Sequence, residues 1–376
     1  MMFKFSFLFF VALAFTSCIQ SEPLSSEADI LSFAIPGVDL VDININTNSV
    51  YIVIENKDLE KLQNVKPQIE VSQGAKISPD TLVNLHDVKY IVTSQNGNSQ
   101  KQYIIDIAQE YTDDTIHFSF DGWSTTSDGY YKLNDMAWSS GNGGITTALN
   151  LLSRPKIPES YPSQMTNDGY NGNAVRLETK RGGIIFNSLN IAVWAGNFFL
   201  GNFNTNYLLD PLKATEFGRV YKRKPHRMQG FYKYTEGPGL YYESLDKIGT
   251  QIGTLDSFAR ADSCSIYAVF YLADNKQTLT AYDIHTSPLV IARADLPKSE
   301  AASTSGDGFH KFDLPFVYTS EPDFDHHIYK LAILFSSSAV GGAPTFDANG
   351  KPTTTVLYAG KPGSVLIVDE VRVVNE

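Results

Sequence analysis

The chain reads as an all-β protein in two units, and three observations predict this. Helical periodicity is nearly absent. Short runs of alternating apolar and polar residues recur between turn residues, the pattern of strands with one buried face. Removing an N-terminal export signal from the 376 residues leaves about 358, more than one core holds and enough for two.

The elements follow in order. Residues 1–18 carry Lys4, an apolar stretch from Phe5 to Phe15 and then Thr16-Ser17-Cys18. A charged start, a short apolar core and small residues before a cut site make a secretory signal, too short to span a membrane as a stable helix. Its end on Cys18 resembles the box of Bacteroidetes lipoproteins, in which the Cys becomes the lipidated first residue. Phe15 stands where Leu is commonest in such boxes. Plain secretion with Cys18 incidental is the other reading. Lipidation would hold the mature chain in the cell envelope, at the outer membrane or cell surface, with membrane contact through the anchor only.

Residues 19–28 form a polar tether rich in Ser and Glu. A first unit spans 29–109, with strands expected at Ile30–Ile35, Ser49–Ile54, Gln68–Val71, Tyr90–Thr93 and Gln102–Ile107. Asn96-Gly97 joins the last two, a strong hairpin signal. The polar stretch Glu110-Tyr111-Thr112-Asp113-Asp114 marks a boundary. A larger unit occupies 113–376, with strands expected at Ile116–Phe120, Asn173–Lys180, Ser265–Leu272, Ile328–Ser336 and Ser364–Val374. Ser139–Gly144, Pro155–Gly172 and Gly341–Thr353 read as loops.

Composition excludes several classes. A formal net charge of -11 argues against nucleic acid and anionic surfaces as partners. Cys264 is the only cysteine besides Cys18, so the mature chain has no intrachain disulfide and no Cys-rich zinc site. His326-His327 beside Asp323 and Asp325 is weak metal evidence. Phosphate loops, nucleophile elbows and dinucleotide fingerprints are absent, which argues against a nucleotide enzyme.

Ala75-Lys76-Ile77-Ser78-Pro79 and Lys101-Gln102-Tyr103 resemble the small immunoglobulin-like domains that follow the lipid anchor in many Bacteroides surface lipoproteins. In the larger unit four segments carry a second resemblance. They are Phe118-Ser119-Phe120-Asp121-Gly122-Trp123, Trp138 to Gly144, Trp194 to Phe203, and Phe217-Gly218 through Arg223-Lys224-Pro225-His226 to Tyr234. Their order resembles the putative carbohydrate metabolism domain of Bacteroidetes. That resemblance implies a jelly-roll β-sandwich, similar to galactose-binding and carbohydrate-binding modules, behind an immunoglobulin-like sandwich. Asp121-Gly122 departs from the Phe-Glu often found before the Trp.

Sugars present flat C–H faces ringed by hydroxyls, so a protein grips them with an aromatic ring and polar groups at its rim. Trp138 with Asn142, and Trp194 with Asn197, place an indole and an amide on Gly-containing loops. Tyr232 and Tyr234 share one strand face, with Phe231 and Lys233 on the other. Each of these rings reads either as a ligand contact or as packing. Arg176 and Glu178 share a face opposite Val175 and Leu177, as a solvated ion pair or the charged floor of a cleft. The basic island from Arg219 to Arg227 would suit uronates or sulfated sugars, or is a solvated turn.

Glycoside hydrolysis needs two carboxyl groups across the scissile bond. Glu178, Glu243, Asp262 and Asp283 are the candidates, and no pair signature joins them. No cofactor is required. A structural calcium ion bridging Asp121 and Asp369 would pin the first and last strands. Asp369 shares a face with Val365, Ile367 and Val371, so a carboxylate there wants a partner: a cation, backbone N–H groups or an Arg. The leading reading is a surface lipoprotein that captures polysaccharide or oligosaccharide. The alternatives are a glycoside hydrolase and a structural or adhesive surface protein.

Overall fold

The computed structural model describes residues 23–182, 191, 193–207, 210–243, 261–274, 278–304, 308–346 and 352–376. The export signal and Cys18 lie outside the described residues. The fold is the expected all-β class, an immunoglobulin-like sandwich followed by a larger jelly-roll sandwich.

In the first unit a five-stranded sheet orders Asp42–Ile45, Ser49–Ile54, Gln100–Gln109, Lys89–Thr93 and Lys76–Ser78, and Ile30–Ala34 pairs with Gln68–Val71 beside it. The Asn96-Gly97 turn forms as expected, with Gly97 at φ 73°. Ser49–Ile54 is buried on both faces. Its even positions, Val50, Ile52 and Ile54, fill the unit's own core, while Tyr51 and Val53 join the core of the larger unit.

In the larger unit, among the described residues, a nine-stranded sheet faces a six-stranded one. Between them lie Leu200, Ile266, Phe270, Ile333 and Phe335 from the first, and Val175, Leu177, Tyr232, Tyr234, Leu366 and Val368 from the second. The strand Ser265–Leu272 shows how the alternation is used. Ile266, Ala268 and Phe270 enter this core, while Tyr267, Val269 and Tyr271 pack outward beneath Leu279 and Ile284.

All three expected loops hold regular elements, Pro155–Gly172 the strand Ser163–Thr166. Asn142–Leu151 is a helix, because Ile145, Ala148, Leu149 and Leu152 repeat at helical spacing and bury one side. Gly341–Phe346 and Pro352–Gly360 form a bulged antiparallel hairpin instead of a loop. Gly342 at φ 121° permits the bulge at its start.

The two units meet through charged groups as well as Tyr51. Arg219 stacks its guanidinium 4.3 Å from the Tyr51 ring centre, and Lys222 pairs with Glu110 at 2.9 Å. Asp106 lies beside Tyr51 in the parallel pairing, and one of its oxygens is buried without a partner among the described residues. Burial, only partly offset by Lys132, pushes its carboxyl up to about 6. A carboxyl raised above its unfolded value opposes folding when ionised. That penalty is present above pH 6 and fades as the pH falls toward the ordinary carboxylate range. Asp106→Asn should therefore exceed wild type in stability at pH 8, with the gap closing as pH falls through 6. Urea unfolding across that range checks it, and a gap that stays constant would mean the carboxyl titrates normally.

Candidate functional site

A cavity of about 290 Å3 opens on the outward face of the nine-stranded sheet, close to the lower end of ligand-pocket sizes. Its floor comes from Asn197–Phe203, Tyr329–Ser336 and Ser265–Leu272. Their register aligns Asn197, Ser336 and Ser265 in one row, and Phe199, Leu334 and Tyr267 in the next. The first row is polar and the second aromatic or apolar. Trp194, Ile145 of the helix, Leu212 and His285 stand around it.

The Gly141 N–H donates to Asn197 Oδ1 at 2.8 Å, which leaves Asn197 Nδ2 without a partner among the described residues. The Ser265 hydroxyl likewise has no partner there. The Tyr267 hydroxyl lies 3.4 Å from His285 Nε2, and Arg293 sits over its ring while holding Asp295 at 2.7 Å. Burial pushes the Tyr267 phenol well up, so it keeps its proton. Burial first and then the Arg293 charge push His285 down, so its ring is neutral at pH 7. The lining offers hydroxyls, amides and rings, and no charged side chain among the described residues.

The residues expected from sequence divide among three places. Trp138 is a correction. It is 1% exposed and its ring is covered by Phe198 at 5.2 Å and Phe335 at 5.8 Å, both stacked, so no face is open to a ligand. It points inward because it pairs directly with Leu200, a core residue. Tyr232 and Tyr234 also belong to the core, and the Tyr232 hydroxyl donates to the Glu300 carbonyl at 2.7 Å. They are packing residues, not a platform. Asn142 and Trp194 do line the cavity. The Asn142 amide, however, is spent on the Ser163 backbone, donating to its carbonyl at 2.7 Å and accepting its N–H at 3.3 Å. Arg176 and Glu178 lie on the outer face of the six-stranded sheet, across the sandwich from the cavity, joined at 2.8 Å.

Residues 113–374 match the family described as the putative carbohydrate metabolism domain, abbreviated PCMD, and residues 30–107 match the SGBP N-terminal domain. The chain belongs to the PCMD family. It is similar to a structure described as a putative glycoside hydrolase from Bacteroides thetaiotaomicron. The two are 26% identical with a TM-score of 0.73, over 95% of this chain and 99% of that one. A second structure with the same description, from Bacteroides vulgatus, is 26% identical with a TM-score of 0.53, over 69% of this chain and 98% of that one. No curated protein matches the chain.

In the PCMD unit none of the three described carboxylates proposed for hydrolysis lines the cavity, although Asp262 bonds the lining residue Ser338. Asp262 is buried, and it accepts hydrogen bonds from Ser338 and Ser364 hydroxyls at 2.6 and 2.8 Å and from the Lys361 and Ser263 backbone. Burial outweighs these bonds and raises its carboxyl. Glu178 is pushed up by burial, but Arg176 and Lys180 more than compensate and hold it low. Asp283 caps a turn through the Thr280 N–H at 2.6 Å. The Glu243 side chain lies outside the described residues.

Asp121 and Asp369 meet backbone amides. Asp369 Oδ2 accepts the Asn171 N–H at 2.9 Å and its Oδ1 the Glu370 N–H at 2.8 Å. Asp121 Oδ1 accepts the Asn173 N–H at 3.0 Å. Of the three partners the sequence allowed for Asp369, these are the N–H groups, and both acids anchor the 168–173 loop. Sequence reasoning passed over Ser265, Ser336 and Tyr267. The signal was a polar or aromatic residue at alternate positions of otherwise apolar strands.

Proposed function

We propose that the PCMD unit binds a neutral carbohydrate in the outward cavity, and that lipid on Cys18 carries the chain to the cell surface for glycan capture. The observation that carries this reading is the paired floor. A row of hydroxyl and amide groups lies beside a row of aromatic and apolar side chains, which matches the rim and the C–H face of a sugar ring. Sugars shed water from each hydroxyl on binding, so affinity is modest.

Ser265→Leu would fill the cavity without removing a core group or an existing hydrogen bond. Glycan-array and gel-retention screening should yield a neutral polysaccharide ligand whose retention is weakened in this variant, with thermal stability little changed. Unaltered retention in Ser265→Leu would remove the cavity reading. A second reading, hydrolysis, is favoured by the likeness to the two structures described as putative glycoside hydrolases. Against it stands a cavity lined by no carboxylate among the described residues. Reducing-sugar release from the bound polysaccharide, abolished by Glu178→Gln or Glu243→Gln, would decide for it.

A further inference from the structure

Across the sandwich from the cavity, the six-stranded sheet presents a second aromatic surface. The alternation that sends Tyr232 and Tyr234 inward turns Phe231 and Lys233 outward. Tyr170 lies flat on Phe231, ring centres 3.6 Å apart and planes 6° apart, and Phe309 meets it edge-on at 6.0 Å. Tyr170 is nonetheless 52% exposed.

The loop that carries this ring is held at a cost. Asp369, a fully buried carboxylate that burial raises, anchors its backbone at Asn171. Glu370 beside it adopts φ 51°, a left-handed conformation rare outside glycine, and its carboxylate takes the Asn171 amide at 3.2 Å. A Cβ at Gly169 would fall 2.6 Å from the Gly172 carbonyl oxygen and 3.0 Å from Asp369 Oδ2. Strain and a buried charge persist where the surrounding structure is built to hold them, and such places cluster at binding sites. Here their outward product is one exposed ring stacked on Phe231, which returns little burial to the fold. Lys233, two residues along the strand from Phe231, and Asp168, two residues before Tyr170 in the loop, lie 3.9 Å from one another, and Arg176 and Lys233 flank Ile367 on the same face.

We propose that Tyr170 is the platform of a second carbohydrate site, stacking one sugar ring of a polysaccharide chain while Lys233 and Asp168 meet its hydroxyls. The site stands on the opposite face from the cavity and does not depend on it. Two such sites on one molecule would strengthen the hold on long chains over short ones.

The test uses the full chain in native gels containing xylan, xyloglucan, galactomannan or polygalacturonate. Tyr170→Ala should weaken retention by about tenfold on at least one of them. Tyr170→Phe, which keeps the ring, should restore it, and the loss should persist in a Ser265→Leu background. Retention of Tyr170→Ala equal to wild type in every gel would overturn the proposal. So would an effect that vanishes in the Ser265→Leu background, since the two changes would then report one site. A dimer in sedimentation that Tyr170→Ala dissociates, with retention unchanged, would assign the surface to self-association and likewise overturn it. If Ser265→Leu alters nothing while Tyr170→Ala does, the cavity reading falls and this one stands.

Discussion

Trp138→Ala is expected to cost about 3–5 kcal/mol of folding free energy, the range for removing a buried aromatic ring. The indole fills the centre of the larger core. Phe198 and Phe335 cover its two faces, and Phe118 and Phe120 meet it edge-on, each at 5.1 Å. Truncation would open a cavity among four aromatic rings, three of them on paired strands, so little collapse is available to offset it. The indole N–H is buried with no partner among the described residues. Trp138→Phe therefore discards an unpaired donor along with part of the ring and should cost much less. Urea unfolding followed by far-UV circular dichroism measures both. If Trp138→Ala kept its stability to within about 1 kcal/mol and lost glycan binding instead, the ring would be a ligand platform after all.

Arg219→Ala should have an effect of similar size by a different route. This buried guanidinium donates to the carbonyls of Ala137 and Met136 at 3.2 Å and of Gly201 at 2.7 Å, tying the strand around Trp138 to its neighbour. Removing it takes a donor from three carbonyls; Ala137 keeps the Gly201 N–H at 2.9 Å, so the loss falls on Met136 and Gly201, at about 1–3 kcal/mol for each buried unsatisfied group. The stacking contact with Tyr51 across the two units is lost as well. We expect a total loss of about 3–5 kcal/mol. Arg219→Lys should recover little, because an ammonium has no planar fork to reach three carbonyls. All three tryptophans lie beyond residue 113, so fluorescence-detected unfolding reports the larger unit alone. A loss below about 1 kcal/mol in Arg219→Ala would show that water satisfies these carbonyls.

Much of the strand map was legible because alternation is a local property. Ser49–Ile54, Gln68–Val71 and Ser265–Leu272 form at the expected residues, and Val175 and Leu177 face away from Arg176 and Glu178 as expected. Where the chain departs from its β character the local signal was weaker. Asn142–Leu151 begins with Asn-Gly-Gly, which reads as a turn. Its helical face becomes decisive only when Ala148, with Ile145 and Leu152, finds Trp194 to pack against.

By itself the sequence determined the fold class, the place of about ten strands and, for those it read as alternating, their partition into two faces. It also limited the chemistry, through an acidic chain with one cysteine outside the signal and no nucleotide motif. Only the tertiary structure decided which face of each strand turns inward. A two-residue period separates Trp138 from Ser139 and Tyr232 from Phe231, but it is symmetric. The choice between the faces depends on the pairing of Trp138 with Leu200 and on a core assembled from both sheets. The cavity floor is subject to the same limit. Asn197, Ser265 and Ser336 become neighbours through strand register across long stretches of chain, and register is set by the burial of every strand at once.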